Sequence, residues 1–154
     1  MKITINGNDF EVESGLSAYD AARAAGVELS REIIAAEING KTSDLTAKVN
    51  DGDKVRLLTF EDEGGAHTFR HTASHVLAAA VKRLYPETKL TIGPAIENGF
   101  YYDFDSETAF TSDVLEKLEA EMKKIVKENA KMERFTLPRD EAIKFMKDEP
   151  YKVE

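Results

Sequence analysis

The sequence contains no cysteine and no tryptophan, and only four of its 154 residues are proline. The absence of cysteine excludes disulfides, a thiolate nucleophile and a cysteine-bound zinc site. No apolar run approaches the ~20 residues that cross a membrane, and the opening MKITING is typical of a strand rather than a signal peptide. We therefore expect a cytoplasmic protein that makes no contact with a membrane.

A surplus of basic charge is also absent, since 29 acidic residues outnumber 21 basic ones and the formal net charge is −8. The residues through Glu63 include 7 basic and 13 acidic ones, and the rest include 14 and 16. Neither part has the basic surplus that is typical of a phosphate-binding module. The charge pattern argues against tight, independent binding of nucleic acid, so any RNA contact would depend on regions outside these residues.

The first sixty residues predict a small mixed domain. The predicted strands are Lys2–Ile5, Phe10–Val12, Ile34–Ile38 and Lys54–Phe60. Asn6-Gly7 indicates a two-residue hairpin, and Ser17 followed by Asp20 indicates the capped start of a short helix. A β-β-α-β-β order with a returning last strand favours a β-grasp sheet that covers one helix.

A glycine-bearing acidic stretch, EDEGG at residues 61–65, indicates a domain boundary. We predict domains at 1–62 and 63–154, the second of class α+β. Its predicted elements are helices at about 68–85 and 113–129, strands at 89–92, 100–104 and 135–137, and a helix opened by Pro138. The second of these helices is predicted to bury a stripe of Leu115, Leu118, Met122 and Ile125. The last residues, 151–154, look like the first step of a new strand, so we expect the second domain to continue beyond them.

His71 and His75 are the most informative pair in the chain, because residues four apart project from one face of a helix. Neighbouring imidazoles can bind a metal, a water or a polar substrate. The 3.6-residue period of a helix places the apolar side chains and the histidines on two separate stripes of its surface. The first contains Ala73, Leu77, Ala80, Val81 and Leu84, and the second contains His71, His75, Ala78 and Lys82. Spacing leaves three alternatives: a functional pair, a solvated surface pair, or core histidines.

Two stretches of the sequence resemble a known family. The segment MKITINGNDFEVESGLSAYDAARAAG resembles the TGS domain of bacterial threonyl-tRNA synthetases, and RHTASHVLAAAVKRLYPETKLTIGPAIENGFYYDFD resembles the start of their editing domain. The HxxxH pattern alone is a weak signal, whereas HxxxH followed by IGPxIxNGFYYD is a strong one. The resemblance covers the whole chain and implies a β-grasp TGS domain followed by an incomplete α+β editing domain.

The resemblance implies attachment of threonine to its tRNA, with hydrolytic removal of mischarged serine. Residue by residue, it implies catalytic roles for His71, His75 and Lys152 and substrate binding by Tyr102, with no metal among these residues. From the residues alone, Tyr102 could instead pack a sheet and Lys152 could be a solvated lysine. The family pocket also uses a cysteine and a histidine that the resemblance places beyond Glu154, so we expect these 154 residues to be inactive alone.

For partners and cofactors, the resemblance implies tRNA, bound through the full-length protein. It implies ATP, Mg²⁺ and Zn²⁺ in a catalytic core outside these residues, and no cofactor within them. We expect the full-length protein to be a homodimer and this chain to be a monomer. Two other classes compete: a TGS-bearing nucleoside-kinase-like or regulatory protein, and a free-standing hydrolase whose HxxxH joins a CxxxH to bind zinc. The absence of cysteine disfavours the hydrolase.

Overall fold

The computed structural model describes residues 1–130 and 132–153. Contacts between residues divide the chain into two compact units, Met1–Arg70 and His71–Glu154. The division falls within helix α2, which spans Glu63–Leu84. Gly64 and Gly65 therefore lie in a helix rather than in an extended linker. We name the two units the first unit and the second unit.

The first unit is a mixed sheet with one helix. Its elements are β1 (Lys2–Ile5), β2 (Asn8–Glu11), α1 (Ala18–Ala24), β3 (Ala35–Ile38), β4 (Lys41–Ser43) and β5 (Lys54–Leu58). The strand order is β2-β1-β5-β3-β4, and β1 pairs with β5 in parallel while the other pairs are antiparallel. This arrangement confirms the predicted β-grasp fold. Strand β4, which the sequence analysis did not predict, forms the edge beside β3.

Local chemistry explains this fold. Asn6 and Gly7 have φ of +48° and +84°, the left-handed pair that a tight two-residue hairpin requires. Ser17 Oγ accepts a hydrogen bond of 3.0 Å from the Asp20 amide, which confirms the predicted helix cap. Alternate residues of β1 and β5 face α1, and their side chains form the apolar core. The buried members of that core are Ile3, Ile5, Val12, Ala18, Ala21, Ala22, Ala36, Val49, Val55 and Leu57.

The second unit packs α2 against a further helix and short strands. Its other elements are β6 (Lys89–Leu90), β7 (Ala95–Ile96), β8 (Gly99–Phe100), β9 (Phe104–Asp105), α3 (Ser112–Glu128), α4 (Arg139–Phe145) and a 3₁₀ helix, Pro150–Lys152. Strand β6 pairs with β9 and β7 with β8, both antiparallel. Ala80, Val81 and Leu118 are the buried centre of its apolar cluster. Helices and sheets together confirm the α+β class.

Several predictions for the second unit are wrong. Residues 135–137 form no strand, and Phe135 remains 63% exposed. Residues 150–152 form a 3₁₀ helix instead of a strand, because Pro150 at its first position has a fixed φ suited to a helical start. Glu154 lies outside the described residues. Helix α3 begins after Thr111 rather than at Asp113, and Leu115, predicted to be buried, is 54% exposed.

The two predicted stripes of α2 are also only partly correct. Ala78, assigned to the histidine stripe, is buried, and Leu84, assigned to the apolar stripe, is exposed. The predicted stripes presuppose that neighbouring elements cover only one face of α2. In the structure, contacts within the second unit cover a wider part of the helix surface near its middle. His71 and His75 remain exposed, so the alternative that they are core histidines is wrong.

Candidate functional site

The two histidines of α2 contact each other directly. Their Nε2 atoms are 3.1 Å apart, and the rings meet edge to face with centroids 4.6 Å apart. A hydrogen bond between two ring nitrogens needs one donor and one acceptor, so one of the two facing nitrogens carries no proton. The helical spacing thus produces a pair that shares a proton, rather than two independent surface side chains.

The surroundings of His75 favour its neutral form. Partial burial of the ring lowers the pKa of His75, and electrostatic interaction with the neighbouring His71 and Lys152 lowers it further. The unshifted pKa of a histidine is about 6.5, so a lowered one leaves the imidazole neutral at pH 7. A neutral imidazole that still reaches solvent can accept a proton from a bound water or hydroxyl.

Lys152 lies close enough to His75 for its charge to influence that ring. It ends the 3₁₀ helix, and its Nζ donates a hydrogen bond of 2.6 Å to the carbonyl of Thr91. The contact with Thr91 keeps the ammonium group near the segment that follows β6. The structure therefore brings three of the four predicted site residues into one electrostatically coupled group.

Tyr102 lies beside the same segment. Its ring stacks on Phe104 with a centroid distance of 4.6 Å and rests against Gly93, where an added Cβ would approach Tyr102 Cδ2 to 2.2 Å. Burial raises the pKa of the Tyr102 phenol, and the negative charge of Glu149 raises it further. The hydroxyl therefore keeps its proton at neutral pH and can donate a hydrogen bond.

Ser74, which is not among the site residues predicted from the sequence, connects the histidine helix to this segment. The side chain is fully buried, and its Oγ lies 2.7 Å from the carbonyl oxygen of His71 and 3.0 Å from that of Gly93. A buried hydroxyl with two carbonyl partners fixes both backbones. The serine in HTASH was the available signal, because this polar residue directly precedes His75 on the helix.

No group of three or more potential metal-binding side chains occurs in the part of the chain that the structure describes. Within the same residues, no helix is long and apolar enough to span a membrane. The arrangement offers a neutral imidazole, an ammonium group and a phenol. These groups suit proton transfer and the binding of a polar, oxygen-rich substrate.

Comparisons with known proteins identify one matching family profile and several relatives. The family profile described as the TGS domain matches residues 3–59. Over the whole chain, the sequence is 56% identical to a threonine–tRNA ligase of Clostridium kluyveri, 55% identical to one of Clostridium perfringens and 55% identical to one of Acetivibrio thermocellus.

The chain spans 24–25% of the length of these curated relatives. The match covers both units, so it includes the histidine pair as well as the β-grasp sheet. The chain contains a TGS domain and is similar from end to end to the N-terminal quarter of bacterial threonine–tRNA ligases.

Proposed function

We propose that this chain is the N-terminal region of a threonine–tRNA ligase, and that its second unit forms part of a site that hydrolyses serine mistakenly attached to the tRNA. The observation that carries the editing role is the direct contact between His71 and His75, with the charge of Lys152 beside it. Identity of 55–56% with three such ligases over the whole chain supports the ligase assignment.

Hydrolytic editing meets a physical need in an enzyme for threonine. Serine differs from threonine by one methyl group, and a difference of that size supplies only about 1–3 kcal/mol of discrimination in a binding pocket. A second site that removes serine, and excludes threonine through its additional methyl group, makes up the shortfall. The substrate is then the ester between serine and the 3′-terminal adenosine of the tRNA.

The proposed roles follow from the chemistry of each side chain. His75, neutral at pH 7, and His71 orient a water and take its proton as the water oxygen attacks the ester carbonyl. Lys152 stabilises the negative charge that develops on the carbonyl oxygen, and Tyr102 binds the substrate through its protonated hydroxyl. Collapse of the intermediate breaks the ester C–O bond. The terminal ribose hydroxyl regains a proton, and serine leaves.

The remaining three quarters of such a ligase would hold the synthetic site, with ATP, Mg²⁺ and Zn²⁺. Binding of tRNA would likewise depend on the full-length protein, which we propose to be a cytoplasmic homodimer, with this chain alone a monomer. We propose residues 1–62 as the TGS domain and 63–154 as the first part of the editing domain. A pocket completed by residues outside this chain implies slow hydrolysis by the chain alone.

A chimera tests the proposal. We would replace the N-terminal quarter of the Clostridium kluyveri ligase with this chain, then measure deacylation of seryl-tRNA beside ATP-dependent threonine activation. His75→Ala should slow deacylation by about 100-fold or more, the scale for loss of a positioned acid–base group, and leave threonine activation near normal. Lys123→Ala is the control, because Lys123 is exposed on α3 and pairs with Glu119 rather than with the site residues.

Thermal melting of each variant separates a local effect from unfolding. Both imidazoles are exposed, so their removal leaves no buried cavity and should change stability little. Unchanged deacylation in a folded His71→Ala/His75→Ala chimera would refute the editing role. A chimera that edits but fails to charge threonine onto tRNA would leave the ligase assignment without support.

A further inference from the structure

Glu149 lies at the start of the 3₁₀ helix, and its carboxylate is enclosed by donors. Its side chain is only 14% exposed. One oxygen lies 2.7 Å from Lys82 Nζ of α2, and the other accepts a 2.9 Å hydrogen bond from the Leu90 amide of β6. Lys82 Nζ also donates to the carbonyls of Pro86, at 2.8 Å, and Thr88, at 3.1 Å. The carboxylate therefore connects α2, β6 and the 3₁₀ helix.

The electrostatics of this contact keep the carboxylate ionised. Burial of Glu149 opposes ionisation, but the hydrogen bonds from Lys82 and the Leu90 amide outweigh burial, so the pKa of Glu149 is lowered. Removal of either charge would leave its partner enclosed without a counter-charge, which is strongly unfavourable. The pair therefore defines one position for the start of the 3₁₀ helix.

Lys152 lies one turn of the 3₁₀ helix after Glu149. Its amide donates a 2.9 Å hydrogen bond to the Glu149 carbonyl, so the backbone between the two residues has a fixed path. Further hydrogen bonds also hold this segment. Lys89 Nζ donates to the Asp148 carbonyl at 3.1 Å, Lys152 Nζ donates to the Thr91 carbonyl, and the Tyr151 hydroxyl donates to Asp105 at 2.9 Å. Asp148 and Lys152 are both exposed, whereas the Glu149 carboxylate is enclosed.

We propose that Glu149 is a positioning residue, whose ion pair with Lys82 and hydrogen bond from Leu90 fix the turn that places the Lys152 ammonium group beside His75. The functional meaning of this placement rests on the proposed editing role of the histidines. The placement itself concerns side chains of the second unit and can be measured without substrate.

Two effects of Glu149 on His75 have opposite signs, which makes the proposal testable. If Glu149 acted only through its field, removal of a negative charge would disfavour the imidazolium and lower the pKa of His75. If Glu149 holds Lys152 in place, its removal frees a nearby positive charge to move away, and the pKa of His75 rises. The direction of the change therefore distinguishes positioning from a direct field effect.

The experiment is an NMR titration of the histidine rings in the 154-residue chain and its variants. Glu149→Gln should raise the pKa of His75, as should Lys152→Met, which removes the cation outright. The double variant should show no rise beyond that of Lys152→Met, because Glu149 acts through Lys152. Glu119→Gln is the matched control: it removes an equivalent charge from an exposed pair with Lys123 on α3 and should leave His75 unchanged.

Three outcomes would overturn the proposal: a lowered pKa of His75 in Glu149→Gln, an unchanged one, or a rise that persists fully in the Lys152→Met background. If Glu149→Gln unfolds the second unit, Glu149→Asp replaces it. Asp keeps the charge on a side chain one methylene shorter, so a pure field effect predicts no change, whereas loss of the anchor still predicts a rise.

A second readout separates failure of this inference from failure of the proposed function. The probe is a non-hydrolysable seryl-adenosine, with an amide in place of the ester, and its binding is measured with the chimera, because residues outside this chain complete the pocket. Glu149→Gln should weaken its binding by about fivefold to tenfold, the scale of one lost charge-assisted contact. Binding by the unaltered chimera with no effect of Glu149→Gln on either readout would refute the inference alone. A raised pKa of His75 without binding by any form of the chimera would instead count against the proposed function.

Discussion

The first unit encloses ten apolar side chains in its core, whereas the central cluster of the second unit encloses three. In the first unit, side-chain hydrogen bonds mostly serve turns and a helix cap, as at Asn39 and Ser17. Ion pairs between separate elements occur in both units, as between Arg56 and Glu37 in the first, but in the second they include the enclosed carboxylate of Glu149. Arg83 binds Glu128 through two hydrogen bonds, and Lys82 binds Glu149.

The difference has a functional meaning. A sheet with a continuous apolar core holds its backbone in place but offers few polar groups that can reach a substrate. Charged contacts between short elements hold polar side chains at defined positions and leave them open to solvent. The candidate site, around His75 and Lys152, lies in the second unit, where charged contacts connect short elements.

Removal of core side chains should give the largest effects. Ile5→Ala in the first unit and Leu118→Ala in the second should each reduce the free energy of unfolding by about 3 kcal/mol, since both side chains are fully enclosed. Leu115→Ala, on the same helix as Leu118 but 54% exposed, is the matched control and should cost less than about 1 kcal/mol. Urea unfolding followed by circular dichroism provides the measurement.

A small effect of Leu118→Ala on the free energy of unfolding would contradict a stabilising role for the apolar cluster of the second unit. It would mean that charged contacts alone, with no contribution from a small apolar centre, stabilise the second unit. An effect of Leu115→Ala as large as that of Leu118→Ala would contradict the exposure of Leu115.

Acid should destabilise the second unit more than the first. The pKa values of Glu149, Glu121 and Glu128 are lowered in the folded second unit, whereas Asp62 has a lowered pKa in the first. A carboxyl with a lowered folded pKa contributes stability above its unfolded pKa, about 4.3 for glutamate, and loses that contribution as the pH falls through the folded value.

Amide signals recorded for each unit from pH 6 to pH 3 check this expectation. Signals of the second unit should weaken first, and Glu149→Gln should flatten the acid dependence of that unit, because the variant has no carboxyl to protonate. Loss of the first unit at a higher pH than the second would contradict the predicted order.

Helix caps provide a smaller test with a matched pair. Ser17→Ala should reduce the free energy of unfolding by about 1 kcal/mol, since Ser17 Oγ accepts a hydrogen bond from the Asp20 amide. Thr111 occupies the equivalent position of α3 but makes no such side-chain hydrogen bond, so Thr111→Ala should cost less. Equal losses in thermal melts would show that the cap hydrogen bond of Ser17 contributes little.

The smallest expected effect is that of zinc. Two imidazoles supply half of the four ligands of an ordinary structural zinc site, and the sequence has no cysteine to complete it. We expect no stoichiometric zinc by elemental analysis and no change in the melting temperature with added zinc. One tightly bound ion per chain would favour the zinc-dependent hydrolase alternative.

Short-range signals in the sequence predicted much of the first unit. Asn6-Gly7 specifies a hairpin and Ser17 with Asp20 specifies a helix start, because each signal acts within four residues. The pairing of His71 with His75 was predictable for the same reason, since helical geometry alone brings the rings together.

The remaining features depend on contacts between distant residues, which neither periodicity nor composition encodes. The ion pair of Lys82 with Glu149 and the bond of Ser74 to the Gly93 carbonyl join separate elements. The apolar pattern at Phe135 suggested a strand, but a strand requires a partner, and none forms there in the described part of the chain. Leu115 matched the helical period, but exposure depends on which neighbours cover the helix.

The close approach of Gly93 to the Tyr102 ring means that a substitution at residue 93 can move the ring without changing any charge. A single methyl group at residue 93 would occupy space that the ring now fills, since its carbon would lie 2.2 Å from Cδ2 of Tyr102. Gly93→Ala would therefore displace an aromatic ring while every titratable group in the chain is retained. The contribution of the ring's position to substrate choice can thus be measured without the removal of any charged or titratable group.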